Sequence, residues 1–158
     1  MREFDDGGAW LADYQGELFE KSRERFSCSS RIFMRRFLHS DIMKMLDMNR
    51  DFLVRFTVDE ALDEIETQFE PSDYGKVQFP SESLYWIGYM YRYISYTRET
   101  DTRLLFKWFG YVKMNELNYV YHTQNPEWCI RNLLELNGMT EDIFDCNWRL
   151  KQAMMKKR

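Results

Sequence analysis

Between Ser81 and Arg98 the chain reads SESLYWIGYMYRYISYTR, and no other stretch restricts the fold so tightly. It holds six aromatic residues, Tyr85, Trp86, Tyr89, Tyr91, Tyr93 and Tyr96, and Leu84, Ile87, Met90 and Ile94 fill most of the gaps between them. Wound into an α-helix, these positions cover nearly the whole circumference. A helix that is apolar all round has to sit inside a bundle with neighbours on most sides. Arg92 lies within the run, so its guanidinium must find a partner or reach water. The expected fold is therefore all-α: a compact single-domain bundle of roughly six to eight helices packed around residues 81–98.

Composition agrees. The chain has 158 residues, enough to bury a core without disulfides or metal. Gly and Pro number only 7 and 3, which favours helices over a many-stranded fold. The three cysteines, Cys28, Cys129 and Cys146, show no CxxC spacing, so neither a disulfide framework nor a zinc knuckle is indicated. The N-terminus lacks the basic-then-apolar pattern of a secretory signal, and no run reaches the roughly 18 apolar residues that span a bilayer. The expectation is a cytoplasmic protein. A net charge of -4 argues against nucleic-acid binding driven by overall charge.

Along the chain, residues 1–8 are expected to fray. Trp10, Tyr14, Leu18 and Phe19 give helical spacing over 9–26. The SCSS segment at 27–30 is a break, and Ser40 suits an N-cap for DIMKMLD. Phe52, Val54, Phe56 and Val58 alternate with other residues; with Val77 and Phe79 they suggest a minor two-strand element. Thr57 and Glu60 make a capping box for a helix whose wet faces hold Asp59, Glu60, Asp63, Glu64 and Glu66. Pro71 stops it. A short helix from Thr102 to Phe109 ends at Gly110, and another turn or two follows over 113–121. Asn125 and Pro126 open a helix with Cys129, Ile130, Leu133, Leu134 and Leu136 on its apolar face. Thr140 caps a final helix over 140–158, acidic at its start and basic at its end, as the helix dipole prefers.

Signatures of chemistry are sparse. The chain has no HExxH, GxSxG, GxxxxGK[ST] or GxGxxG, and only two histidines, His39 and His122. No catalytic residue, metal ligand or cofactor is assigned. Arg92 can clamp an anion or pair with a carboxylate of the acidic helix; the pairing is the simpler reading, because a buried charge is expensive unless paired. His122, with Tyr121, can face a small polar pocket or bond a backbone group at a turn, and the turn is again simpler. Arg23, Arg25, Arg31, Arg35 and Arg36, interleaved with Phe26, Phe33 and Phe37, read either as a nucleic-acid patch or as one solvated helix face.

Three segments in order, SSRIFMRRFLHSDIMKMLD, ESLYWIGYMYRYISYT and YVYHTQNPEWCIRNLLE, resemble a family of small bacterial antitoxins from toxin–antitoxin loci. The likeness covers about residues 29–135, leaving the 140–158 helix outside the recognisable core. The resemblance implies a cytoplasmic protein that neutralises a cognate toxin encoded beside it, one candidate being a toxin of ADP-ribosyltransferase-like fold. The partner-binding candidates are Arg35, Arg36, Arg92, Tyr121, His122 and Trp148. Two alternatives stand beside this reading. One is a small enzyme that reverses or blocks a toxin modification in a pocket near Arg92 and His122. The other is a nucleic-acid-binding regulator using residues 31–36.

Overall fold

In the computed structural model, residues 1–48, 56–145 and 156 are described. The helices, in order, are α1 (Asp6–Arg25), α2 (Ser30–Leu38), α3 (Asp41–Asp47), α4 (Val58–Gln68), α5 (Ser81–Arg98), α6 (Thr102–Trp108), α7 (Tyr111–Tyr121) and α8 (Pro126–Leu136). A helical turn at 142–145 follows. The architecture is all-α, with α5 at its centre. Leu84, Ile87, Tyr91, Arg92, Ile94 and Tyr96 of α5 are completely enclosed. Among the described residues, no helix is long and apolar enough to cross a membrane.

The main packing axis is α1 against α5, and small residues set its closeness. A Cβ added to Gly88 would lie 2.5 Å from the Gln15 backbone oxygen. Gly16 lies under the Tyr85 ring and Gly8 under Tyr96. Position 8 meeting 96 and position 15 meeting 88 makes the two helices antiparallel. The Gln15 side chain, itself enclosed, donates from Nε2 to the Gly88 carbonyl at 2.9 Å across the seam.

Helix starts follow the polar residues that precede them. Ser29, Ser40, Thr57 and Asn125 each accept a hydrogen bond from a first-turn backbone N–H, satisfying donors that no helical carbonyl can reach. Where fraying was expected, α1 already begins at Asp6. Asp5 caps it by accepting from Gly8 N–H at 2.9 Å, and the same carboxylate accepts from the Tyr96 hydroxyl at 2.6 Å. Phe4 packs on Tyr93 with ring centroids 4.5 Å apart, and Arg2 N–H donates to the Thr97 carbonyl.

The two-strand element does not form: no strand occurs among the described residues. Phe52 and Val54 lie outside them. Val77 and Phe79 do alternate, one exposed and the other buried, but their backbone groups bond the start of α2 and, at the Phe79 carbonyl, the Arg23 guanidinium. Ser29 and Ser30 N–H donate to the Tyr74 and Val77 carbonyls at 3.1 Å, and Phe79 N–H donates to Ser30 Oγ at 2.8 Å. A helix N-terminus has thus taken the hydrogen bonds a second strand would have used. Leu136, placed on the apolar face of α8, is 58% exposed at the helix's end. Of the predicted 140–158 helix, only residues 140–145, helical over 142–145, and Lys156 fall within the described residues.

Candidate functional site

Arg92 is the natural starting point, and its surroundings are fully built. Its Nε donates to Gln15 Oε1 at 2.8 Å, Nη1 to Asp47 Oδ1 at 2.8 Å and Ser95 Oγ at 3.3 Å, and Nη2 to Thr102 Oγ1 at 3.1 Å. Asp47 also accepts from the Thr102 backbone N–H at 3.1 Å and from the Thr102 hydroxyl. Burial draws the guanidinium below its ordinary value, and Asp47 opposes that pull. The carboxylate partner is therefore at the end of α3, not on the acidic helix α4. The difference has a geometric cause: α4 turns its carboxylates outward, where Asp59 meets Lys21 and Asp63 and Glu66 meet Arg25. Arg92 has no solvent exposure, so the pocket imagined around Arg92, Tyr121 and His122 does not exist at its position.

Arg98, one turn and a half further along α5, forms a second internal joint. It holds Glu127 of α8 in a bidentate pair, at 2.9 and 2.7 Å, and reaches Glu141 at 2.8 Å. Burial works against its charge, but the two carboxylates outweigh it and hold Arg98 above its ordinary value. Glu127 is lowered, mainly by Arg98 and further by the Tyr93 hydroxyl, which donates to it at 2.7 Å.

The remaining candidates separate. Tyr121 is buried, its ring edge-on to Trp86 and Trp128. His122 is exposed beside it. Its Nδ1 lies 2.7 Å from the Asn118 carbonyl, which can only accept, so Nδ1 carries the proton in that contact. Arg36 is half-buried, bonded to the Glu70 carbonyl at 2.6 Å and lying over the Phe69 ring. Arg35 is exposed and, with Arg31 and Lys76, lines a cavity of about 300 Å³ at the start of α2. Trp148 lies outside the described residues. Among these residues, no group of three or more His, Cys, Asp or Glu side chains is placed to hold a metal ion.

His122 does belong to a concave site, though with different companions. A groove of about 490 Å³ opens where the α7–α8 turn meets α5. Tyr85, Trp86, Tyr89 and Met90 line it from α5, His122 and Pro126 from the turn, and Glu20 and Glu82 bring carboxylates to it. Tyr85 and Tyr89 are only partly buried, unlike most of their neighbours on α5. Burial raises both phenols, and Asp13 adds to it, most directly at Tyr85, whose hydroxyl donates to Asp13 Oδ1 at 2.7 Å. Both tyrosines stay protonated donors at neutral pH.

Comparison with family models, curated proteins and solved structures finds no match for this chain.

The groove was the part that sequence reasoning passed over, because every aromatic of α5 was read as core. A signal was present in α1: Asp13, Glu17, Glu20 and Glu24 recur at helical spacing, and all four are exposed.

Proposed function

We propose that this protein is a binding module acting by direct protein–protein contact, in the manner of an antitoxin that covers a cognate toxin encoded beside it. The observation that supports this best is the aromatic groove at Tyr85, Trp86 and Tyr89, open to solvent on a helix that is otherwise the packing axis. Aromatic side chains backed by a rigid core offer large contact area at low entropic cost, the character of interface anchors. The neighbouring α7 adds apolar surface, with Tyr119 84% and Val120 56% exposed. The candidate Arg92, and Arg98 with it, serve the framework that holds the groove in place. Co-expression with the adjacent gene tests the reading. The neighbour should be toxic alone, be rescued by this protein and co-purify with it; a neighbour that is harmless alone would remove the antitoxin assignment.

A second reading, a nucleic-acid-binding regulator, is favoured by one observation: Arg31, Arg35 and Lys76 converge on the small cavity at the start of α2. It requires retention on DNA that falls steeply as salt rises and is lost in Arg31→Ala/Arg35→Ala. Absence of retention at low salt would end it.

A further inference from the structure

Tyr85 and Tyr89 are stacked with centroids 6.3 Å apart and an interplanar angle of 25°, and Tyr89 continues onto Tyr93 at 6.4 Å and 20°. Steps of four residues place the three rings in one row along α5. Phe4 closes the Tyr93 end. Beside this row runs another of opposite character, the exposed carboxylates of Asp13, Glu17, Glu20 and Glu24 on α1. The close antiparallel contact of α1 and α5 sets Asp13 and Glu17 beside Tyr85 and Tyr89, joined where Tyr85 bonds Asp13, and carries the stripe on past the Tyr85 end of the row through Glu20 and Glu24. Glu20 of this stripe and Glu82 of α5 both reach the groove, to which no Lys or Arg contributes among the described residues. Glu17, Glu20 and Glu82 form no ion pair with any described residue.

That combination selects its guest. An aromatic face is the negative side of the ring quadrupole and attracts cations. Unpaired carboxylates at the rim add Coulombic attraction, repel anions, and lose hydration without compensation under a purely apolar guest. Arg and Lys satisfy both surfaces, with a methylene stem that lies on the rings and a charged head that meets the carboxylates. Length then argues for a chain rather than a single small ion. The acidic stripe from Asp13 to Glu24 runs about 16 Å along α1, and the tyrosine row about 12 Å along α5. Several cations in sequence can use that length.

We propose that this seam seats a basic segment of the partner protein, with one Arg or Lys side chain stacked in the Tyr85–Tyr89 groove between Glu20 and Glu82. The proposal rests on the protein-binding reading above and gives that partner its chemistry.

The test uses the full chain and a short fluorescent peptide of alternating Arg and Gly, with a matched peptide carrying uncharged citrulline in place of Arg. Anisotropy should report binding of the Arg peptide only. Tyr89→Leu should weaken it about tenfold, the effect of losing one partly desolvated cation–π contact. Tyr89→Phe, which keeps the ring, should bind like wild type. Because Tyr89→Leu also touches packing, Glu20→Gln/Glu82→Gln at exposed positions carries the decision: it should weaken binding by a similar factor, while Glu60→Gln/Glu64→Gln on α4 should not. Equal binding of the citrulline peptide would overturn the proposal in favour of an uncharged apolar dock. Equal weakening by the α4 pair would reduce it to diffuse charge. Binding of N-acetyl-arginine amide as tight as that of the peptide would make the groove a small-cation site and also overturn it. If the neighbour-encoded protein co-purifies equally with wild type and with Glu20→Gln/Glu82→Gln, this inference falls and the binding reading stands. If the neighbour is harmless while the peptide passes every control, the antitoxin assignment falls and the basic-segment site stands.

Discussion

At Arg92 a full charge is held without any solvent exposure, and the arrangement works because each partner is fixed by a different helix: Gln15 by α1, Asp47 by α3 and Thr102 by α6. A buried ion pair gains little over an apolar pair of equal shape, but removing one member strands the other. Asp47→Ala should therefore destabilise the protein by about 3–5 kcal/mol in urea unfolding, and Arg92→Met/Asp47→Ala should be more stable than Asp47→Ala alone. If the double variant is the less stable of the two, Arg92 does not owe its charge balance to Asp47. Glu127 makes a prediction of a different kind. Its carboxyl is held below the ordinary value of 4.5, chiefly by Arg98. A lowered folded value means that the unfolded chain binds the proton more readily. The stabilisation is thus complete above about pH 5 and is lost as pH falls through the folded value. Glu127→Gln should flatten the fall in stability on the acid side of 4.5, measured as the shift of the urea midpoint between pH 7 and pH 3. An unchanged acid limb would mean that Glu127 does not contribute to it.

Among the helices, α1 and α5 meet so closely that their seam leaves no room for a side chain at Gly88. At Gly88 an added methyl would meet backbone, which cannot swing aside as a side chain can. Gly88→Ala should cost about 1–3 kcal/mol, the range for overpacking a filled interior. Gly110→Ala, where nothing lies within 4 Å and φ is −61°, should change stability by less than about 0.5 kcal/mol. Comparable losses at the two positions would show that the seam is not the constraint. Much of this level was legible in the sequence. The bounds of α5 and the caps at Ser40, Thr57 and Asn125 all rest on local chemistry that a few residues determine. What was not legible depends on distant partners. Asp47 lies 45 positions from Arg92, and nothing near either residue marks the pair. Val77 and Phe79 have a strand's alternation, yet their backbone groups bond Ser30 at the start of α2 and Arg23 of α1. A helix apolar on every side, such as α5, gives no local sign of which face its neighbours will leave uncovered, so the Tyr85–Tyr89 groove emerged only with the packing.

Across the whole molecule, the two buried arginines of α5 divide the work of assembly. Arg92 gathers α1, α3 and α6 onto the aromatic helix, and Arg98 ties on α8 and the segment after it through Glu127 and Glu141. Their partners differ in setting. The Asp47 side chain is 15% exposed, whereas those of Glu127 and Glu141 are 46% and 52% exposed. Without Arg98, both glutamates can turn to water, so the loss is one of docking more than of stranded charge. Arg98→Met should therefore act locally. Backbone amides over 126–145 should exchange faster with solvent deuterium, while those of α1 and α5 around Gln15 and Gly88 keep their protection. Matching acceleration along the α1–α5 seam would show that the molecule opens as one unit and that Arg98 is as central as Arg92. Local acceleration would place α8, whose first residue Pro126 lines the groove, among the elements able to adjust when a partner docks, on a seam that stays fixed.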